Sequence, residues 1–280
     1  MMPNSRFRRC GFPLFAALVF VGNLSLSHPG HCVAPAKKWI TYSAEGYAAS
    51  RQGKFEESNR KYSLAILSAR NEGASPTVIA DLILCRADLF ITLNRIETAR
   101  LGLFEAGKVI REEKLTGTLL EMRWLRRNLR LSKMQGNFSN AIAEQTRIIK
   151  IIGQHFAIDS GCYLDEIFIL LDIKLNSKDF IGSSKTLRVF TEAIKSEQAN
   201  MALRRCHSAI DLYLEKVVGN ILQNASQQPQ LALSELKLIE ASDIPSSRKI
   251  LAYKKIRDSN SEILKTECNL YLTKHAFKAD

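Results

Sequence analysis

The chain has 280 residues, of which 46% are hydrophobic, so it is long enough to bury a full core in one elongated domain or two compact ones. It contains 7 prolines and 14 glycines, too few for an all-β protein rich in turns. The formal net charge of +12 suits an anionic partner or surface. Charges of both signs nevertheless alternate along most predicted helices, which also fits solvated outer faces.

The N-terminal residues 1–27 have the features of a secretion signal. Arginines precede an apolar segment over residues 12–21, and small residues follow it up to Ser27. A helix needs roughly 20 apolar residues to span a bilayer, and this segment has about half that number. We therefore predict a cleaved signal and a mature chain without a transmembrane span. Cleavage is expected after Ser27 or, alternatively, after Ala36, with a linker over residues 28–37. The mature chain is then expected in the periplasm or the secreted fraction.

The first predicted helix pair shows the spacing that organises the chain. A small residue, Gly46, is followed after seven positions by Gly53, which can take a positive φ without a Cβ penalty and so end a helix. An aromatic residue, Phe55, then opens a second helix. Small residues at Ser58 and Ala65 complete the pattern. This spacing predicts two antiparallel helices that cross closely on either side of a tight turn.

The same spacing recurs three more times, at intervals of 41, 42 and 42 residues. A helix pair this short cannot bury its own apolar face, so the recurrence predicts pairs that stack side by side. The turns of the later pairs are predicted at Asn94, Gly136 and Lys178. The other positions of the pattern are Ala87, Ile96, Ala99 and Ala106, then Leu129, Phe138, Ala141 and Ile148, then Leu171, Phe180, Ser183 and Phe190.

This order of small, turn, aromatic and small residues resembles the tetratricopeptide repeat (TPR) family, over residues 38–196. The usual TPR has about 34 residues, so the chain is similar to a longer variant in which each helix gains about one turn. The resemblance implies an all-α, right-handed α-solenoid in which the first helix of each pair lines a concave groove that binds a protein or peptide. The fourth unit departs most, because Lys178 replaces the turn glycine and Phe190 replaces a small residue.

The four TPR-like pairs are followed by two further predicted segments. Residues 197–245 predict a divergent fifth pair, with one long amphipathic helix and a short partner. Residues 246–280 predict a C-terminal helix that covers the last apolar face of the stack. The four regular pairs are expected over about 38–71, 77–113, 118–152 and 163–196.

The first helix of the third pair is unusually basic. Its cations are Arg123, Arg126, Arg127, Arg130 and Lys133. All except Arg127 share one face, since they fall at i, i+3, i+7 and i+10. An arginine on a groove wall can hold a carboxylate or phosphate through two parallel hydrogen bonds. Alternatively, the cations pair with acidic residues at the same height on the flanking helices and tie the repeats together. Those acidic residues are Asp81, Asp88, Asp165 and Asp172.

Apolar contacts in the groove are predicted at Tyr47, Leu84, Ile91 and Phe168. TPR proteins that hold the C-terminal carboxylate of chaperones also use lysine and asparagine on the first two inner helices and two cations on the third. Arg123 and Arg127 match the third-helix positions. Ser43, Tyr47 and Cys85 stand where the other side chains are required. The resemblance therefore does not extend to a cytosolic chaperone clamp.

The sequence lacks the motifs of common active sites and metal sites. No HExxH, GxSxG, phosphate-binding glycine loop or zinc-like CxxC spacing is present, so we predict no catalytic residue, no cofactor and no metal ligand. Cys162 and Cys206 fall near the start of successive inner helices, where a disulfide would fit an oxidising compartment. The alternative is that both act as small apolar residues.

We therefore expect an exported, non-catalytic scaffold that binds a protein or peptide, including acidic groups of that partner, and no specific nucleic acid. One alternative is a binder of an anionic polymer, such as an acidic glycan or nucleic acid, whose affinity would fall steeply with salt. A second is a structural subunit of an envelope complex. A third is an enzyme whose active site forms only in the fold.

Overall fold

The computed structural model describes residues 37–156, 161–194, 200–242, 244–258 and 262–276, which form twelve α-helices and no strand. The predicted signal and most of the predicted linker lie outside these residues. None of the described helices is both long and apolar enough to cross a membrane. The helices are α1 (Lys38–Arg51), α2 (Phe55–Asn71), α3 (Pro76–Thr92), α4 (Ile96–Glu112), α5 (Leu119–Met134), α6 (Phe138–His155), α7 (Gly161–Asn176), α8 (Phe180–Ile194), α9 (Asn200–Asn224), α10 (Pro229–Ala241), α11 (Ser246–Arg257) and α12 (Glu262–Ala276).

Consecutive helices pack as antiparallel pairs, from α1 with α2 to α11 with α12. We call the first helices of the pairs the inner layer and the second helices the outer layer. Inner helices contact each other where α3 meets α5, where α7 meets α9 and where α9 meets α11. In the outer layer α10 contacts both α8 and α12. Within the described residues the fold is therefore an α-solenoid of helix pairs, as the recurring spacing predicts.

The turns inside the four regular pairs fall where the sequence predicts them. The turn residue has a positive φ in each case: 74° at Gly53, 56° at Asn94, 69° at Gly136 and 62° at Lys178. Two hydrogen bonds close each turn, as when Lys178 N–H donates to Leu175 O at 3.1 Å and Asp179 N–H donates to Lys174 O at 2.9 Å. This is the Schellman arrangement that ends helices. Lys178 therefore adopts the glycine-type conformation despite its side chain.

The small residues of the pattern lie where paired helices approach closely. A Cβ atom on Gly46 would lie 3.3 Å from the Tyr62 ring. Ser58 donates its hydroxyl hydrogen to the Gly46 backbone oxygen at 2.8 Å, across the first pair. In the fourth pair the larger Phe190 is buried and packs against Phe168, with ring centroids 6.3 Å apart. The exception at Phe190 is therefore accommodated by a neighbouring aromatic ring.

The C-terminal segment differs from the single covering helix predicted over 246–280. It forms two helices, α11 and α12, which pack against each other as a further pair. Tyr253 of α11 and Tyr271 of α12 stack with ring centroids 3.8 Å apart. The sequence between the helices is rich in Asp, Ser and Asn, which favour helix ends over helix interiors.

Candidate binding groove

The basic residues of α5 form ion pairs with carboxylates of α3. Arg123 pairs with Asp81, near the start of α3. Seven residues further along both helices, Arg130 Nη1 lies 3.1 Å from Asp88 Oδ1, and Arg130 Nη2 lies 3.5 Å from the Thr92 hydroxyl. The two inner helices are therefore joined at two levels. At each level the two partners lie one repeat length apart in the sequence.

The opposite side of α5 is joined to α7. Arg126 pairs with the buried carboxylate of Glu166. Lys133 Nζ lies 3.6 Å from Asp172 Oδ2. Gln145 of α6 donates to Glu166, at 2.7 Å to carboxylate Oε2 and at 2.8 Å to the backbone oxygen. Glu166 is therefore held by α5 and α6 together, and it fixes the position of Arg126.

The repeat register predicted Asp81, Asp88, Asp165 and Asp172 as partners of α5. Asp81, Asp88 and Asp172 are in ion pairs with it. The register missed Glu166, which carries the pair with Arg126. The sequence feature that could have indicated this pair is Arg126, three residues after Arg123. Residues three apart are offset by about 60° around a helix, so Arg126 points more towards the opposite neighbour than Arg123 does.

Arg127 is the least exposed of the five cations, with 16% of its side chain accessible. Its Nε donates to the Leu84 backbone oxygen at 3.0 Å, and its Nη1 donates to the Arg123 backbone oxygen at 2.9 Å. Its Nη2 lies 3.9 Å from Asp88 Oδ2. Most of its hydrogen-bonding groups are used inside the protein, so Arg127 positions α5 against α3.

The thiol of Cys85 lies close to this cluster of charges. The pKa of this thiol is raised to about 11, chiefly by burial and also by Asp81, while Arg127 and Arg123 oppose the rise. The thiol is therefore uncharged near neutral pH. A reactive cysteine needs a thiolate in an electropositive, accessible setting, so Cys85 does not have the chemistry of a nucleophile.

The predicted apolar contacts separate into two groups. Leu84 and Ile91 are 0% and 1% exposed, and they belong to the core rather than to the groove. The reason is that α3 packs against α2, α4 and α5 at once. Tyr47 is exposed, and Phe168 is partly buried against Phe190. Met134, at the end of α5, is an exposed apolar residue that the sequence reasoning missed.

No protein-family model matches the sequence, and no curated protein matches it. Among solved structures, the chain is similar to a crystal structure from Podosopora anserina assigned as a kinesin light chain with nearly identical TPR-like repeats. The similarity covers 77% of this chain and 96% of that chain, with a TM-score of 0.56. The fold is TPR-like. The sequence identity of 10% means that this comparison establishes the fold alone.

In this TPR-like stack Cys162 lies exposed at the start of α7. The side chain of Cys206 lies outside the described residues, so the disulfide between the two stays a prediction. Cys268 is buried, and burial raises the pKa of its thiol to about 12. The described part of the chain contains no group of three or more His, Cys, Asp or Glu residues arranged to hold a metal ion.

The inner face of the TPR-like stack therefore presents charges that are both fixed and accessible. Arg126 and Arg130 each expose 40% of the side chain and Lys133 exposes 41%, although all three are in ion pairs. The exposed ring of Tyr47 lies on α1 of the same layer. We call the surface formed by Tyr47 and these three cations the inner groove.

Proposed function

We propose that this chain is an exported, non-catalytic scaffold that binds a protein or peptide through the inner groove. The observation that carries the proposal is the row of ion pairs along α5. Each cation is held by a carboxylate of a neighbouring helix, and three of the five still expose about two fifths of the side chain. Such side chains are already ordered before binding, so less conformational entropy is lost when a partner engages them.

The charge arrangement favours a peptide over an anionic polymer. The five cations of α5 face four paired carboxylates, because Arg127 and Arg130 share Asp88. A polymer would gain affinity by replacing small counterions on free cations, but here it would have to displace carboxylates that belong to the protein. A peptide that carries both charged and polar groups can instead add hydrogen bonds to existing pairs. The inner groove therefore suits a partner of mixed charge.

Affinity capture from the exported fraction of the host tests this proposal. The mature chain serves as bait, and the variant Arg130→Glu places two carboxylates side by side on the groove surface. We expect the specifically captured partner to be lost from this variant. Arg111→Glu, an exposed change at the end of the outer helix α4, is the matched control and should retain it.

A charge swap separates binding from folding. In the double variant Asp88→Arg with Arg130→Asp the ion pair can re-form with its signs exchanged. Thermal stability should then return part of the way to that of the wild type, since Arg127, 3.9 Å from Asp88, would face a second cation. The partner should still be lost, because the groove then presents the opposite charges. If both the single and the double variants capture the same partner as the wild type, the inner groove is not the binding surface.

Export is tested by the N-terminus of the mature protein. Removal of the predicted signal would leave a chain that begins at His28 or Lys37. Mass spectrometry of the N-terminal peptide in fractionated cells distinguishes these two starts. An intact N-terminal segment on the protein in the cytosolic fraction would contradict export.

A further inference from the structure

A second surface of the inner layer lies between α9 and α11, away from α5. A cavity of about 180 Å³ is lined by residues of these two helices. Each helix contributes residues at i, i+3, i+4 and i+7, which share one helical face. We call this cavity the α9–α11 slot. Its lining residues are Asp211, Leu214, Glu215 and Val218 of α9 and Arg248, Leu251, Ala252 and Lys255 of α11.

The base of the slot is apolar and its edge is open. Leu214, Val218 and Ala252 are each less than a tenth exposed, whereas Leu251 is 60% exposed. An exposed leucine next to an apolar cavity costs free energy in water, and a ligand that covers it would recover that cost. An apolar cavity of about 150 Å³ can hold a molecule the size of benzene. The slot is therefore large enough for one large apolar side chain.

The charges around the slot are only partly paired. Arg248 Nη1 lies 2.7 Å from Asp211 Oδ1 and closes the end nearest the start of both helices. Glu215 and Lys255 lie further along, on opposite walls, and both are exposed. Within the described part of the chain neither of them is in an ion pair. The open end of the slot thus offers one negative and one positive group on either side of an apolar base.

We propose that the α9–α11 slot binds one large apolar side chain of a partner peptide, with a basic group of the peptide at Glu215 and an acidic group at Lys255. This inference rests on the proposed scaffold function and names a second contact of the same inner layer. Charge complementarity decides the occupant. A purely apolar segment or an anionic polymer would leave one of the two charges without a partner, whereas a peptide of mixed charge satisfies both.

The test uses the mature chain and a displayed library of random peptides, with enriched sequences resynthesised and measured by fluorescence polarisation. We expect enrichment of peptides that carry a large aliphatic or aromatic residue between a basic and an acidic one. Ala252→Phe fills the slot and should weaken these peptides by about 10- to 100-fold, the loss expected when a large apolar side chain is no longer buried. Leu270→Ala, an exposed change on α12, is the control and should leave affinity unchanged.

A second variant avoids the risk that a filled slot disturbs folding. Glu215→Lys with Lys255→Glu changes two exposed side chains and reverses the charges of the slot. It should weaken the original peptides and prefer peptides whose basic and acidic residues are exchanged. If peptides bind all slot variants equally but lose affinity for Arg130→Glu, the slot is not their binding site, and the proposal for the inner groove still stands. A library that yields no binder would count against both the slot and the inner groove as peptide-binding sites. If the chain self-associates and Leu251→Ala abolishes this, the occupant of the slot is a second copy of the chain and not a peptide.

Discussion

The inner layer has the same arrangement of helices around α5 and between α9 and α11. The two regions differ in how completely their charged side chains are paired. Around α5 every cation has a carboxylate partner on a neighbouring helix. Between α9 and α11 the described side chains form one ion pair, Arg248 with Asp211, which lies beside a cavity and two exposed charges. In a repeat protein each interface depends on its nearest neighbours. One stack can therefore carry, at different positions of its described part, an accessible, ion-paired groove and an apolar slot with unpaired edge charges.

The largest effect should come from reversing a charge beside a buried carboxylate. Arg126→Glu would place a second carboxylate against Glu166, which is buried and also bonded to Gln145. A buried charge left without its counter-ion is strongly unfavourable, so we expect a loss of about 2 to 4 kcal/mol in the free energy of unfolding. Urea denaturation monitored by circular dichroism measures this value.

The exposed pair of Arg188 with Glu192 on α8 supplies the matched control for this change. Both side chains are more than half exposed, and the atoms lie 3.5 Å apart. Arg188→Glu should cost less than about 1 kcal/mol, since water and salt screen exposed pairs. Equal losses for the two variants would show that burial of Glu166 does not matter and that the α5–α7 contact is held in another way.

A partly buried carboxylate, Glu144, should give the next effect, which appears as a dependence of stability on pH. The pKa of Glu144 on α6 is raised to about 7, because the effect of burial exceeds that of a hydrogen bond from Ser132, which lowers the pKa. The folded state then binds a proton more tightly than the unfolded state, so this group's contribution to stability falls as pH rises from about 4.5 to 7. Glu144→Gln should remove that slope. It should also raise stability at pH 8 by about 1 kcal/mol, a figure reduced for partial solvent screening.

Unfolding curves at several pH values, for the wild type and Glu144→Gln, check this expectation. Glu121 is a suitable comparison because its buried carboxylate is paired with Arg147 and accepts a hydrogen bond from Gly117 N–H at 2.6 Å. Glu121→Gln should lower stability at pH 8. A stability that rises with pH over the same window in the wild type, and is unchanged by Glu144→Gln, would contradict the assignment.

The turns of the first and fourth pairs differ in residue type and give a smaller effect. Gly53 and Lys178 have φ values of 74° and 62°, but only glycine adopts this conformation without a steric cost. Lys178→Gly should therefore stabilise the protein by about 0.5 to 1 kcal/mol, after allowing for the greater freedom of glycine in the unfolded chain. Gly53→Ala should destabilise it by a similar amount. Thermal unfolding of both variants measures the difference, and a loss of stability on Lys178→Gly would be the opposite outcome.

These results show which features the sequence could predict. The turns were predictable because a positive φ depends on a few neighbouring residues. The constant repeat length also located the fourth turn at Lys178, although this residue is not a glycine. The same register located Asp81 and Asp88 opposite α5. It failed for Leu84 because register identifies the face of one helix but not the number of neighbours that cover it. Apolar residues surround most of α3, a pattern typical of a fully buried helix.

The α9–α11 slot could not be predicted for a different reason. Beyond residue 196 the spacing of the pattern slips, so no register related Glu215 to Lys255. The break between α11 and α12 was also missed, although its polar residues favour helix ends. Both features depend on how the last helices pack, which is a long-range property of the fold.

The smallest expected effect concerns the pair of Lys133 with Asp172, at the accessible end of the inner groove. The two charged atoms are 3.6 Å apart, and the side chains are 41% and 34% exposed. A double-mutant cycle with Lys133→Gln and Asp172→Asn should give a coupling of about 0.5 kcal/mol or less, and the coupling should vanish in about 1 M salt because the Debye length is then about 3 Å. A coupling that persists at high salt would mean that this pair is shielded from water. The groove would then be closed at the end where the proposed function needs it open.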